Sequence, residues 1–407
     1  MSSGSSKHCA RPWRRGGIPV LAALLAALTA CSSGGSKSDA TGATADGGSG
    51  TSNSLTGFDP AAALAKGYGG DFTLPPTSGP KAVSGKKIWY ISCGQLYVSC
   101  ANMSTAFKAA GSTLGWNVSI QDSKADGTVA SNLIQQAIAA RVDGIAVVAF
   151  DCPLIKSALL AAKSASIPVA TFISSDCNDP AFGSDSATQQ PLFAASIKLR
   201  GSTRAVDFYD AWARARADYI VAKVGSKAGV LDISEQSQLE QKALGVAFSD
   251  RMKATCPGCK LTKVPFTFAQ VPNPATQIWQ TAIQAHPEAT VVTSSNDSLM
   301  AIGLQSAIRQ SGRSGLVVGG GDGAPPNLDL IRQGSQTFSI ALPYSWNTWG
   351  LADTLNRLLA GESASSLPEE GGGWQFVDAQ HNLPATGTPY EPPVDYKAAY
   401  KKVWGVS

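Results

Sequence analysis

Residues 143–176 read "DGIAVVAFDCPLIKSALLAAKSASIPVATFISSD". Two short apolar runs, "GIAVVAF" (144–150) and "IPVATFIS" (167–174), flank a segment near Leu154–Ser164 that reads as a helix. A run that is apolar throughout, rather than alternating, suits a strand covered on both faces, as in a parallel sheet between helices. Strand, helix and strand at this spacing make one βαβ unit, and its crossover should be right-handed.

The same alternation extends in both directions. Upstream, "KIWYIS" (87–92) and "NVSIQD" (117–122) read as strands, with helices predicted over Ser104–Leu114 and Val129–Arg141. A strand over Leu192–Ile197 completes five. Downstream the pattern restarts with a helix over Ala205–Val224, then "AGVLDIS" (228–234), a helix over Leu239–Ala254, and "KLTKVPFT" (260–267). A helix over Ala275–Ala285, "TVVTSS" (290–295), a helix over Leu299–Ser311 and "GLVVGG" (315–320) follow. The stretch from Lys86 to the end of this 407-residue chain exceeds what one hydrophobic core usually serves. The fold class is therefore read as α/β, with two similar Rossmann-like lobes built on parallel sheets.

The amino terminus is of a different kind. Lys7, Arg11, Arg14 and Arg15 stand without an acid nearby, and Gly17–Ala30 carries no charge. That run is too short for a bilayer core of about 30 Å but suits the apolar region of a secretory signal. Removing those four positives from the formal net charge of +4 leaves a nearly neutral chain, which offers no electrostatic case for nucleic acid. Residues 32–56 are rich in Gly, Ser, Thr, Ala and Asp, too polar to offset their ordering entropy by burial. The expected order is a signal over 1–30, a flexible tether over 31–57 and a lead-in over 58–85, kept extended by Pro75, Pro76 and Pro80. Leu28-Thr29-Ala30-Cys31 resembles the bacterial lipobox. The resemblance implies acylation of Cys31 and anchoring to the outer face of the cell membrane.

Of eight cysteines, Cys9 leaves with the signal and Cys31 carries the lipid. Cys93, Cys100, Cys152, Cys177, Cys256 and Cys259 remain, an even count that in an exported protein points to disulfides. Six cysteines allow 15 pairings. Local spacing favours Cys93–Cys100 and Cys256–Cys259, leaving Cys152–Cys177. "CPGC" also has metal-ligand spacing, but it lacks a second such pair, and the only histidines are His8, His286 and His381. No metal or other cofactor is expected.

Ligands of open parallel sheets gather beyond the carboxyl ends of the strands. Read at those ends, the candidates are Gln95 and Tyr97, then Asp151, Asp176, Gln236 beside Glu235, Phe268 near Gln270, Asn296 beside Asp297, and Asp322. Acids and amides pair with hydroxyl groups, and aromatic faces cover C–H surfaces. Each has a local alternative. Asp151 and Asp297 could cap following helices, Asn296 could shape a turn, and Asp176 and Asp322 could make Asx turns. Gln95 and Tyr97 could pack within a Cys93–Cys100 loop.

From Lys86 to about Gly361 the chain resembles the type I periplasmic solute-binding proteins, especially their ribose/galactose-type branch. "VVTSSNDSLMAIGLQSAIRQSG" followed by "GLVVGGGDGAPPNLDLIRQG" carries the likeness, with "DGIAVVAF…IPVATFISSD" in the first lobe. The resemblance implies that Asp176, Asn296 and Asp322 contact the ligand. It also implies that "SIALPYSW" (339–346) is a hinge crossing that brings Tyr344 and Trp346 near the cleft. Its lobes are discontinuous, here 86–202 with about 342–375, and 203–341 with about 376–407. Three departures stand out: Cys177 and Leu244 where family sugar binders often carry Arg, and Leu342 where they carry Gln. They imply a less cationic cleft, because Cys and Leu offer no guanidinium fork.

The function so implied is capture of a small molecule, a sugar or polyol, for an ABC importer in the membrane, by a monomer that performs no chemistry. A sensory receptor signalling to a membrane kinase would use the same closure. Tyr97, Phe268, Tyr344 and Trp346 also leave room for an aromatic or less polar ligand. An enzyme is the remaining class. It would have to rely on a carboxylate pair such as Asp176 and Asp322, since only His286 and His381 follow the signal and no GxSxG occurs.

Overall fold

The computed structural model describes residues 57–202 and 204–407. The signal, Cys31 and the tether up to residue 56 lie outside the described residues. Where the sequence predicts an extended lead-in, helix α1 (Pro60–Gly69) and strand β1 (Asp71–Thr73) form first. The reason is local: Asp59 accepts the N–H groups of Ala61 and Ala62, and Pro60 occupies the first helical position, where its missing N–H costs nothing. Only the proline-rich residues 74–85 stay without regular structure.

The first lobe contains β2 (Lys87–Ser92), α2 (Val98–Thr113), β3 (Asn117–Asp122), α3 (Gly127–Ala139), β4 (Gly144–Val148), α4 (Cys152–Ser164), β5 (Val169–Phe172) and β6 (Ala195–Ser196). Its five strands are all parallel in the order β3-β2-β4-β5-β6. Every residue of β4 and β5 is buried, as their unbroken apolar character demands.

The second lobe runs through α5 (Ala205–Val224), β7 (Gly229–Glu235), α6 (Leu239–Thr255), β8 (Lys260–Phe266), α7 (Ala275–Ala285), β9 (Ala289–Ser294), α8 (Leu304–Gln310), β10 (Val317–Asp322), α9 (Pro325–Arg332) and β11 (Phe338–Ala341). The helix predicted from Leu299 starts later, at Leu304, after a single 3-10 turn over Asp297–Met300. The chain then crosses to the first lobe as α10 (Tyr344–Leu359), returns as β12 (Gly372–Asp378), and ends in α11 (Tyr396–Trp404). The seven-stranded sheet has the order β1-β12-β11-β10-β9-β7-β8, with β12 antiparallel to both neighbours.

Helix α10 is buried nearly all round from Trp346 to Arg357, so it needs cover on two sides. One side packs on the first lobe's helix α2 and strands β4 and β5. The other receives α11: Trp349 stacks on Trp404 at 5.5 Å and Trp346 on Tyr396 at 5.7 Å. The Trp404 indole also donates to Asp353 at 2.6 Å. The carboxyl-terminal helix therefore sits with the first lobe, although the sequence reading assigns 376–407 to the second. Conversely, β12 draws residues 372–375 into the second sheet.

The described cysteines are joined as Cys93–Cys100 and Cys256–Cys259, the two pairs that local spacing favours, and as Cys152–Cys177, the pair those leave. No helix among the described residues is long and apolar enough to cross a membrane.

Candidate functional site

The carboxyl ends of the parallel strands in the two sheets face one cavity of about 60 Å³. Three residues on its wall, each just past or at a strand end, have left-handed backbone: Ala149 at φ 62°, Ile173 at 58° and Asp322 at 101°. Such conformations cost energy in residues with a Cβ, most of all in β-branched Ile, and they persist where the surroundings over-determine them.

Asp322 ends β10, whose last residues are "GGGD" (319–322). The glycines allow the strand's neighbours an approach no side chain would permit. A Cβ on Gly320 would lie 2.1 Å from the Ser294 carbonyl, and one on Gly321 would lie 1.8 Å from the Trp212 ring. Trp212 thus lies flat against β10, held by its indole N–H donating to the Ile340 carbonyl at 2.9 Å. One helical turn earlier on α5, Tyr209 also faces the cavity, with its ring 6.0 Å from that of Trp212. Its buried hydroxyl has no hydrogen-bond partner among the described residues.

The Asp322 carboxylate accepts the Tyr344 hydroxyl at 2.8 Å, Ser99 Oγ at 3.0 Å and Ser298 Oγ at 3.2 Å. Burial nevertheless pushes its pKa up to about 7, with those hydrogen bonds opposing the shift. Behind it Asp297 accepts Ser339 Oγ at 2.7 Å and Gln336 Nε2 at 3.1 Å. Its burial, and then the charge of Asp322, raise its pKa well above the usual carboxylate range. A second carboxylate, Glu240, lies on the wall at the start of α6, 2 % exposed. Among the described residues its only side-chain donor is the neighbouring Gln241 amide at 3.4 Å. Burial, followed by the charges of Asp151 and Glu235, raises its pKa strongly.

The lobes touch around the rim. Asp151 Oδ2 accepts the Leu239 N–H at 3.0 Å, while Gln238 Nε2 donates to the Ala149 carbonyl at 3.1 Å. Ser99 of α2 meets Ser298 and Asp322 of the second lobe. Tyr97 packs edge-on against Phe268, ring centres 5.3 Å apart.

Of the ten ligand candidates read from sequence, Tyr97, Phe268, Asn296, Asp322 and Tyr344 line this cavity. The other five do not, each for a physical reason. Gln95 turns back to donate to Ser92 Oγ at 2.6 Å and Ser104 Oγ at 2.8 Å. Gln236 likewise donates to Ser234 Oγ at 2.9 Å. Asp176 spends its carboxylate on the N–H groups of Cys177, Leu192 and Phe193, which closes the long loop from 178 to 191. Asp151 serves the rim rather than the wall: it does not cap its own helix but the amino end of α6 in the other lobe. Trp346 is fully buried between Tyr396 and the Glu370 carbonyl, to which it donates at 3.0 Å. Asn296 keeps a local task as well, accepting the Ser298 N–H at 2.9 Å.

Sequence reasoning missed Tyr209, Trp212, Gln238, Glu240 and Gln241. The first two carry a legible signal, large aromatics three apart on one helix face. The other three stand only a few residues beyond the strand end already singled out at Glu235 and Gln236.

Residues 99–363 match the family profile described as periplasmic binding protein domain. None of the curated proteins matches the chain. Among solved structures, an ABC transporter solute-binding protein from Agrobacterium vitis with bound allitol is 17% identical, with a TM-score of 0.58 over 72% of this chain and 96% of that one. A periplasmic solute-binding protein from Actinobacillus succinogenes with bound D-allose is 16% identical, with a TM-score of 0.60 over 72% and 98%. A carbohydrate transporter from Acidothermus cellulolyticus in complex with myo-inositol is 17% identical, with a TM-score of 0.57 over 79% and 98%.

Proposed function

The chain belongs to the periplasmic binding protein domain family, and from that premise we propose that it captures a small hydroxylated solute, a sugar or polyol, outside the cytoplasm and hands it to an ABC importer. The observation that carries this reading is a cavity between two lobes whose rim is held by hydrogen bonds from one lobe to the other. Such bonds need the two lobes together, which supports a closed state around the cavity. A solute that bridges both lobes stabilises that state by its differential affinity for it. The crossing from β11 to α10 and the return to β12 supply the segments about which the lobes turn.

Within the cavity, Asp322 and Asn296 offer oxygen and amide groups to hydroxyls, while Trp212 and Phe268 offer faces to the C–H surfaces of a ring. The bound allitol, D-allose and myo-inositol named for the structural neighbours are ligands of that chemistry. The protein performs no reaction. A lipid on Cys31 holds it, as a monomer, near its permease, and the closed pair of lobe surfaces is what the permease recognises.

Calorimetric titration against a panel of sugars, polyols and their derivatives tests this, with small-angle scattering before and after ligand. Saturable binding that leaves the scattering profile of the closed form is expected. Failure to bind any small solute overturns it.

A further inference from the structure

The charge balance of the cavity says more about its occupant, on the premise that the protein is a solute binder. Two carboxylates stand on the wall, Asp322 at 4 % and Glu240 at 2 % exposure. No lysine, arginine or histidine is among the lining residues. The charges that raise Glu240, after its burial, are those of Asp151 and Glu235, and Asp322 in turn raises Asp297. The Tyr209 hydroxyl, buried and without a partner among the described residues, also lines the cavity, and burial, then the charges of Glu240 and Asp322, raise its pKa. The remaining walls are aromatic, from Trp212, Tyr344, Phe268 and Tyr97.

Each feature bears on ligand charge. An anionic solute would bring a third negative group into a closed space with nothing to balance it. A neutral polyol leaves two acids desolvated together, so closure would have to protonate them. A monovalent cation balances one of the two and gains from the aromatic faces as well, which attract positive charge through their quadrupoles. The unpartnered phenol then accepts from the same cation, or donates to a hydroxyl beside it.

We propose that the solute is a small hydroxylated organic cation, an amino sugar or aminocyclitol, whose protonated amine sits in the corner formed by Glu240, Tyr209 and Asp322. The acids and the phenol select the ammonium, and the ring faces select the carbon skeleton.

The test is calorimetry on the full chain at pH 7 with matched pairs: D-glucosamine against D-glucose, D-galactosamine against D-galactose, and an inosamine against myo-inositol. In at least one pair the amine should bind about tenfold tighter or better, a difference that one ammonium–carboxylate contact in a buried site readily supplies. Amines binding no tighter than their neutral partners overturn this inference and leave the solute-binding reading standing. No binding by any member of the pairs counts against both. Glu240→Gln, shown to be folded by near-ultraviolet circular dichroism, should bring the amine-to-neutral ratio towards one. An unchanged ratio in that variant overturns the assignment as surely as an absent preference.

Discussion

The carboxylate of Asp151, at the end of a strand in the first lobe, accepts the backbone N–H of Leu239 in the second lobe at 3.0 Å, while its other oxygen holds Ser175 at 2.9 Å. One side chain thus caps a helix across the cleft and fixes the loop after β5 on its own side. A charged cap of this kind contributes on the order of 1 kcal/mol, and it exists only when the lobes are shut.

Replacing that cap shifts the balance between open and closed forms. Asp151→Ala should raise the radius of gyration of the ligand-free protein and weaken solute binding by about tenfold, the equivalent of some 1.4 kcal/mol. Scattering and calorimetry on the same preparation check it. An unchanged radius together with unchanged affinity would show that the rim contact does no closing.

Asp322 makes stability depend on pH in a definite direction. Its pKa is raised by burial from 3.8 to about 7 in the folded protein, so between those values the folded state binds more protons than the unfolded one. Stability of the ligand-free protein should therefore fall as pH rises through that window. Asp297, shifted the same way, adds to the slope. Thermal melts from about pH 4.5 to about pH 7.5 should show a falling midpoint, and Asp322→Asn should flatten part of that fall. A midpoint that rises with pH over this range contradicts the assignment.

Gly321 protects the floor of the cavity. A Cβ there would meet the Trp212 ring at 1.8 Å, and backbone at Ser295 lies 2.8 Å away. Gly321→Ala should displace the indole into the cavity, cutting solute affinity by at least about tenfold and lowering the melting midpoint, since overpacking of this kind costs roughly 1–3 kcal/mol. Trp212→Ala in the same background should recover part of the lost stability but not the affinity. Full affinity in Gly321→Ala would remove Trp212 from the floor.

The Cys152–Cys177 bridge ties the start of α4 to the loop beyond β5 and closes 25 residues of chain. Cys152→Ala with Cys177→Ala should destabilise the first lobe by roughly 3 kcal/mol, from the lost restriction of the unfolded chain. Denaturant titration of the double variant measures it. A change under about 0.5 kcal/mol would mean that the bridge acts on loop geometry alone.

Much of this molecule was readable along the chain. The βαβ alternation, the two sheets and the Cys93–Cys100 and Cys256–Cys259 pairs depend on residues close along the chain, where apolar run length and local spacing are decisive. Asn296 and Asp322 were found the same way, because a residue ending a parallel strand must arrive at the open edge of the sheet. Local rules failed where a side chain had two places to go. Asp176 and Gln95 both follow strand ends, yet nearby N–H and hydroxyl groups claimed them first. Asp151 found its partner 88 residues away, which no spacing rule reaches.

What the sequence determined by itself was the layering, since burying apolar strands between helices satisfies the backbone in only a few arrangements. What the tertiary structure decided was which polar groups remain free. Tyr209, Glu240 and Trp212 come from helices read only as cover, and they share a wall because β10 lacks side chains where Trp212 lies. Burial cost acts through space and not along the chain, so the acids of the cavity, and the absence of a lysine, arginine or histidine among the residues that line it, became visible only once both lobes were in place.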